Sequence, residues 1–245
     1  MNILFDVTDN IGIIKINNPP GNFLVKPEFM PIDELKNWID ANHLKGILVG
    51  GTGRHFSGGA KLDDLYALAK DTGKMHEEMD RGKILLNYIK TLNIPVIAAI
   101  QGSCFGGGLE IALACHIRIC SENALFAFPE INQQLMPGLG GIGAMKEKSS
   151  FHEAMAFILG GDMINAEEAL CMKIVDQIVP YGELFNHSFT LLKKMTSGRE
   201  LKVIHYVMKA LHNTNSLSKE DAMKEDTVMF CELAKDVVER RKKGE

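Results

Sequence analysis

The chain has 245 residues, 46% hydrophobic and 24% charged, the balance of an ordinary globular protein able to bury one large α/β core with room for a helical appendage. A formal net charge of −4 supplies no global positive field, so no nucleic-acid partner is expected and any anion site has to be local. No apolar run approaches the roughly 20 residues of a membrane helix, and the opening Met1-Asn2-Ile3-Leu4-Phe5-Asp6 lacks the pattern of a targeting segment, so a cytoplasmic protein without membrane contact is expected.

Taken in chain order, apolar alternation predicts two short strands, Ile3 to Val7 and Ile11 to Asn17, closed by the turn signal Asn18-Pro19-Pro20-Gly21. A helical stretch from Pro31 to Asn42 and a buried strand from Gly46 to Val49 follow, then a glycine-rich loop from Gly50 to Gly59. Helical patterning runs through Ile89. The continuous apolar run Ile94-Pro95-Val96-Ile97-Ala98-Ala99-Ile100 suits a strand covered on both faces, and strands separated by helices imply right-handed crossovers. From about residue 183 the pattern is helical, with one apolar stripe at Leu201, Ile204, Met208 and Leu211 and another at Met223, Phe230, Ala234 and Val237. Ser218 and Asp221 resemble a capping box with Asp in place of Glu. Cys104, Cys115, Cys120, Cys171 and Cys231 are odd in number and form no CxxC pair, which suggests neither a disulfide framework nor a zinc site.

Three glycine signals compete for a functional meaning. The first, Gly138-Leu139-Gly140-Gly141-Ile142-Gly143, matches GxGxxG by letter, but the polar segment ending in Pro137 is not the strand that a dinucleotide site needs before it. In the second, Gly102-Ser103-Cys104-Phe105-Gly106 follows a strand as a nucleophile elbow would, making Cys104 a candidate hydrolase nucleophile with Asp162 or Asp176 and His187 or His205 as partners. In the third, Gly106-Gly107-Gly108 opens a helix over Leu109 to Ala114, whose free N–H groups and positive dipole end would face a ligand oxygen. That oxygen would be held best if a second N–H converged from the earlier loop.

Several segments together resemble the enoyl-CoA hydratase/isomerase, or crotonase, family. They are Arg54-His55-Phe56-Ser57-Gly58-Gly59-Ala60-Lys61-Leu62, the strand Ile94 to Gly102, Gly106-Gly107-Gly108-Leu109-Glu110, Phe126-Ala127-Phe128-Pro129-Glu130 and Pro137-Gly138-Leu139-Gly140-Gly141. The resemblance implies a ClpP/crotonase-type α/β spiral of ββα units over residues 1–182 and a C-terminal helical region, 183–245, that assembles homotrimers or homohexamers. It also implies an oxyanion hole from the backbone N–H groups of Ala60 and Gly107, catalytic carboxylates at Glu110 and Glu130, and substrate contacts from Gly58, Gly59, Lys61, Leu62, Gly106, Gln134, Pro137 and Gly138. The expected reaction is reversible syn hydration of a 2-enoyl thioester on coenzyme A or acyl carrier protein, with no metal or redox cofactor. Enoyl isomerisation, decarboxylation and a noncatalytic RNA-binding or scaffold role are the alternatives. Two like carboxylates in one site raise the pKa of one of them and so supply an acid and a base. This chain departs from the family pattern at Lys61, His116 and Gln134, and Gln134 is expected to narrow or polarise the acyl pocket.

Overall fold

In the computed structural model, which describes residues 2–243, strands β1 (Asn2–Thr8) and β2 (Ile11–Asn17) form the predicted hairpin. Asp9 and Asn10 between them have φ of 55° and 59°, the primed-turn geometry that matches strand twist. Helix α1 (Ile32–Ala41) leads to β3 (Gly46–Gly51), two residues longer than predicted, and the helical patterning beyond it splits into α2 (Leu62–Ala69) and α3 (Thr72–Lys90). The split falls at Asp71, whose carboxylate accepts the Lys74 N–H and caps α3. Then come β4 (Val96–Ile100), buried at all five residues, β5 (Ser103–Phe105), α4 (Gly107–Ala114), β6 (Ile117–Ser121) and β7 (Leu125–Ala127). A 3-10 turn, Pro129–Gln133, precedes α5 (Gly141–Lys148), α6 (Phe151–Gly160), β8 (Ile164–Asn165), α7 (Ala166–Cys171) and β9 (Gln177–Val179). The chain ends in α8 (Leu184–Thr196), α9 (Leu201–Ser216) and α10 (Lys219–Lys243).

The larger sheet has the order β1-β2-β3-β4-β6-β9 and is parallel everywhere except between β1 and β2. A smaller sheet, β5-β7-β8, stands beside it, and Ser57 joins that sheet through a parallel bridge to Cys104. Three consecutive passages therefore repeat one plan: a strand in the large sheet, a short extended piece in the small one, then a helical turn. They are β3, Ser57 and α2; β4, β5 and α4; β6, β7 and the 3-10 turn. This is the spiral of ββα units.

Helix α4 is buried from Gly108 to Ala114, between α3 and α5, so whatever its first turn carries is held rigidly. Helix α8, which the expected division groups with the C-terminal region, covers the other face of the large sheet and buries Leu184 and Leu192 against Leu48, Ile97 and Ile119. On α9, Ile204 is buried, with Leu201 and Met208 packed against the same core, while Leu211 is exposed. On α10, Ala222 and Met229 face inward, while the stripe of Met223, Phe230, Ala234 and Val237 is left exposed by this chain. Ser218 makes only half of a capping box, accepting the Asp221 N–H at 3.1 Å and donating its hydroxyl to the Asp221 carboxylate at 2.7 Å. Among the described residues no helix is long and apolar enough to cross a membrane.

Candidate active site

The site follows from register. Ser57 and Cys104 are paired in parallel, with Ser57 N–H donating to the Ser103 carbonyl and Phe105 N–H to the Ser57 carbonyl, both at 3.0 Å. Three residues beyond each partner stand Ala60 and Gly107, so these positions end adjacent extended segments side by side. Gly59, at φ 84°, lets the two turns close on each other, since a methyl group there would fall 2.7 Å from the Phe105 carbonyl oxygen and 3.5 Å from the Gly107 nitrogen. Among the described residues neither the Ala60 nor the Gly107 N–H has a hydrogen-bond partner, and both residues line one cavity. Gly107 is also the first residue of α4, where the helix dipole favours negative charge. Two free donors converging on one cavity can hold an oxygen that gains charge.

The neighbouring glycines have separate reasons. Gly106 has φ 50°, and a methyl group on it would lie 2.7 Å from Glu130 Oε1. A methyl group on Gly108 would lie 2.7 Å from Ser57 Cβ, so that glycine sets how closely α4 approaches the preceding unit.

Glu110, in the first turn of α4, is 4% exposed, and its Oε1 accepts the Leu139 N–H at 2.7 Å and the Gly141 N–H at 2.8 Å. Gly141 is the first residue of α5. The GxGxxG-like segment is preceded by the 3-10 turn and loop rather than by a strand, and its amides cradle a carboxylate of this same chain. Burial pushes the Glu110 carboxyl up, and the amides of Gly141 and Leu139 pull it back. Glu130, in the 3-10 turn, has a buried Oε2 with no hydrogen-bond partner among the described residues. Burial raises its carboxyl to about 7, with the charge of Glu110 adding to the effect. One carboxylate is thus anchored by amides and the other is free to hold or release a proton near neutrality, the division of environments that separates an acid from a base.

The cavity measures about 180 Å³. Ala60, Lys61, Gly107, Glu110, Glu130 and Gly138 line it. Of the other predicted contacts, Gly58, Gly59 and Gly106 lie in the supporting turns outside the lining, Pro137 is buried outside it, and Leu62 at the start of α2 is exposed. The expectation for Gln134 is corrected. It sits exposed with a left-handed φ of 56° at the end of the 3-10 turn, and Leu135 and Met136 line the cavity in its stead. Leu65, Met75 and Met79 from α2 and α3 complete the apolar wall. Helical apolar residues of this kind read in sequence as core. The anchoring amides of Leu139 and Gly141 also escaped the sequence reading, although glycines at a helix start are a signal for free N–H groups.

Several of the remaining candidates have structural roles. Cys104 is wholly enclosed and burial pushes its thiol well up, so it cannot act as an accessible nucleophile. Asp176 pairs with the buried Arg118 at 2.7 Å, and His187 bonds Gln177 at 2.8 Å, so neither forms a triad with Cys104. His55 accepts the Ser103 N–H, which makes it a brace of the β5 turn. His116 accepts the Val96 N–H at Nδ1 and meets the Lys90 carbonyl at Nε2, stitching the end of α3 to the start of β4. Among the described residues no group of three His, Cys, Asp or Glu side chains is placed to hold a metal ion.

The sequence profile of the enoyl-CoA hydratase/isomerase family matches residues 6–244. A "Probable enoyl-CoA hydratase" of Bacillus subtilis (strain 168) is 34% identical over 171 residues, covering 67% of this chain and 64% of that protein. The fatty acid oxidation complex subunit alpha of Shewanella sp. (strain W3-18-1) is 35% identical over 178 residues, 70% of this chain but 25% of that protein. The matches thus span less than two thirds of either relative. Among solved structures, Pseudomonas aeruginosa DspI superposes with a TM-score of 0.82 at 28% identity, covering 94% of this chain and 88% of that one. An enoyl-CoA hydratase from Bacillus anthracis superposes with a TM-score of 0.82 at 24% identity over 94% of this chain and 90% of that one, which shows the shared crotonase fold.

Proposed function

The chain belongs to the enoyl-CoA hydratase/isomerase family, and we propose that within it the protein catalyses reversible hydration of a 2-enoyl thioester carried on coenzyme A or an acyl carrier protein. One observation carries the reading: Ala60 and Gly107, whose N–H groups have no partner among the described residues, line the same cavity as two carboxyl groups held in unlike environments. Water bound to Glu110 adds its oxygen to C3 and gives its proton to that carboxylate. The electron pair of the double bond moves towards the thioester, whose oxygen takes up charge between the two N–H groups. Glu130, protonated near neutral pH, delivers a proton to C2 and restores the thioester. Proton exchange with solvent resets both carboxyls. Every group in this scheme is a residue of the chain, water or substrate.

Lys61 and Lys26 stand at the cavity with well-exposed side chains, suited to the phosphates of a thioester carrier. The exposed apolar side chains of α9 and α10 support self-association, for which a trimer or paired trimers is our reading. The test is to follow loss of the conjugated-thioester absorbance with a series of 2-enoyl-CoA substrates and to identify the product. A 3-hydroxyacyl thioester is expected; a shifted double bond or released carbon dioxide with no hydroxy product would replace hydration by another reaction of the family.

A further inference from the structure

Resting on that reading, we infer that helix α6 positions Glu130, with Gly161 and Asn132 as the positioning residues. Glu110 is held by two amides on its carboxylate, whereas Glu130 Oε2 has no partner among the described residues. The direction of Glu130 therefore has to come from the 3-10 turn, Pro129–Gln133, that carries it. None of the residues of that turn is fully buried, and two backbone bonds close it, Gln134 N–H to the Ile131 carbonyl and Leu135 N–H to the Glu130 carbonyl, both at 3.0 Å. A turn so short keeps one orientation only if its neighbours fix it.

Helix α6 meets the turn on both sides of Glu130. Before it, the wholly buried Phe128 packs against the buried Phe157 of α6, with ring centroids 5.7 Å apart and planes tilted by 59°. After it, Gly161 ends α6 in a left-handed conformation with φ 66°, and a methyl group on it would fall 2.5 Å from Ile131 Cγ2 and 3.0 Å from Asn132 Nδ2. The Gly161 carbonyl also accepts the side-chain amide of Asn132 at 3.3 Å. Phe128, Ile131 and Asn132, which flank Glu130, are thus set by one helix, and the capping box of Ser150 and Glu153 fixes that helix at its other end. The hold from the opposite side is weaker: the Tyr66 hydroxyl donates to Gln133 Oε1 at 3.1 Å in an exposed bond from α2, a helix with no buried residue. Because Phe128 also borders Gly141, which anchors Glu110, the Gly161 end is the one that acts on Glu130 alone. Neither Gly161 nor Asn132 lines the cavity, so neither touches the substrate.

The test places Gly161→Ala and Asn132→Ala in the wild type and again in Glu130→Gln, and follows hydration of a 2-enoyl-CoA together with calorimetric binding of saturated butyryl-CoA. In the wild-type background each change should lower kcat about tenfold while altering butyryl-CoA affinity by less than about twofold. In Glu130→Gln the same changes should cost less than about twofold, because the group they place is gone. The fall of kcat/KM near pH 7 should also move to lower pH in both variants, since a loosened turn exposes the Glu130 carboxyl that burial holds up. Asn132 is exposed, so its variant keeps the test open should Gly161→Ala not fold. The inference is overturned if Asn132→Ala keeps the wild-type kcat and pH profile, or if the costs in Glu130→Gln equal those in the wild type, which would leave α6 a structural support only. Failure of the hydration reading would show separately, as a wild type that turns over a thioester without making the 3-hydroxyacyl product, and the same cycle followed on that other product would still test the positioning.

Discussion

Glu110 and Gly141 meet at 2.8 Å, a carboxylate in the first turn of one helix accepting the first amide of another. The position of the carboxylate therefore depends on where α5 begins as much as on α4, and a change outside the cavity wall can be expected to reach the chemistry.

Gly141→Ala tests that dependence. A methyl group there would lie 2.9 Å from Glu110 Cγ and 2.7 Å from Phe128 Cζ, both in the packed interior. Stability should fall by about 1–3 kcal/mol, and turnover should fall about tenfold or more as the carboxylate is displaced. Denaturant unfolding and steady-state kinetics on the same preparation separate the two effects. Unchanged turnover in a folded variant would show that the amide contact does not position Glu110.

Replacing either carboxyl by its amide keeps the shape and removes the titratable group, so Glu110→Gln and Glu130→Gln should each lower hydration by about a hundredfold or more. Binding should survive both changes, because the proposed oxyanion donors are backbone groups. In deuterated water Glu130→Gln should also stop exchange at C2, whereas Glu110→Gln should retain part of it. Full exchange in Glu130→Gln would remove that residue from the proton path.

The pH profile has a definite sign. With its carboxyl raised to about 7, Glu130 loses its proton as pH climbs through that region. Hydration needs the one shared proton on Glu130 and dehydration needs it on Glu110, so kcat/KM should fall together in both directions as pH climbs through that region and the proton is lost. Glu130→Gln should erase both inflections. Profiles that keep an inflection near 7 in Glu130→Gln would place the titration on another group.

His116 makes stability depend on pH. Burial, with His212 adding, lowers its imidazole from 6.5 to about 4, so across that window the unfolded chain takes up a proton that the folded one refuses. The group therefore costs the fold increasing stability as pH drops from 6.5 towards 4, on the order of 3 kcal/mol in all. His116→Gln should be less stable than wild type at pH 8, where its bonds to Val96 and Lys90 are disturbed, and the gap should close on acidification. A gap that stays constant in denaturant titrations across this range would place the titration elsewhere.

Assembly has its own measurement. Phe230, 70% exposed on α10, stands with Met223 and Val237 on an apolar helix face that a neighbouring subunit would cover. Sedimentation should give a species larger than the 27.1 kDa chain, and Phe230→Asp should shift it towards the monomer. A stable monomer in the wild type would refute the assembly.

The placing of Ala60, Gly107, Glu110 and Glu130 together was legible through short motifs that resemble a known family, and all four line one cavity. The large sheet was legible because buried strands such as β4 read as apolar runs. The short pieces β5, β7 and β8 were not, because two or three residues carry no period of their own and owe their extended form to neighbours far along the chain. Gln134 was misplaced because a single left-handed residue redirects the chain without altering its composition. Met79 and Met75 look like core residues of an amphipathic helix, and only the tertiary gap between α3 and the Gly138 segment makes them a pocket wall.

The pairing of Ser57 with Cys104 has a consequence for change by insertion and deletion. Because Ala60 and Gly107 stand at equal offsets from paired residues, one residue added or lost between Ser57 and Ala60, or between Cys104 and Gly107, would put the two N–H groups out of step. Every side chain around the cavity could remain and the proposed oxyanion site would still be gone. The side chain at Ala60 contributes nothing to that alignment, so at this place the chain is free to vary in letter, proline apart because it lacks the N–H, but not in count.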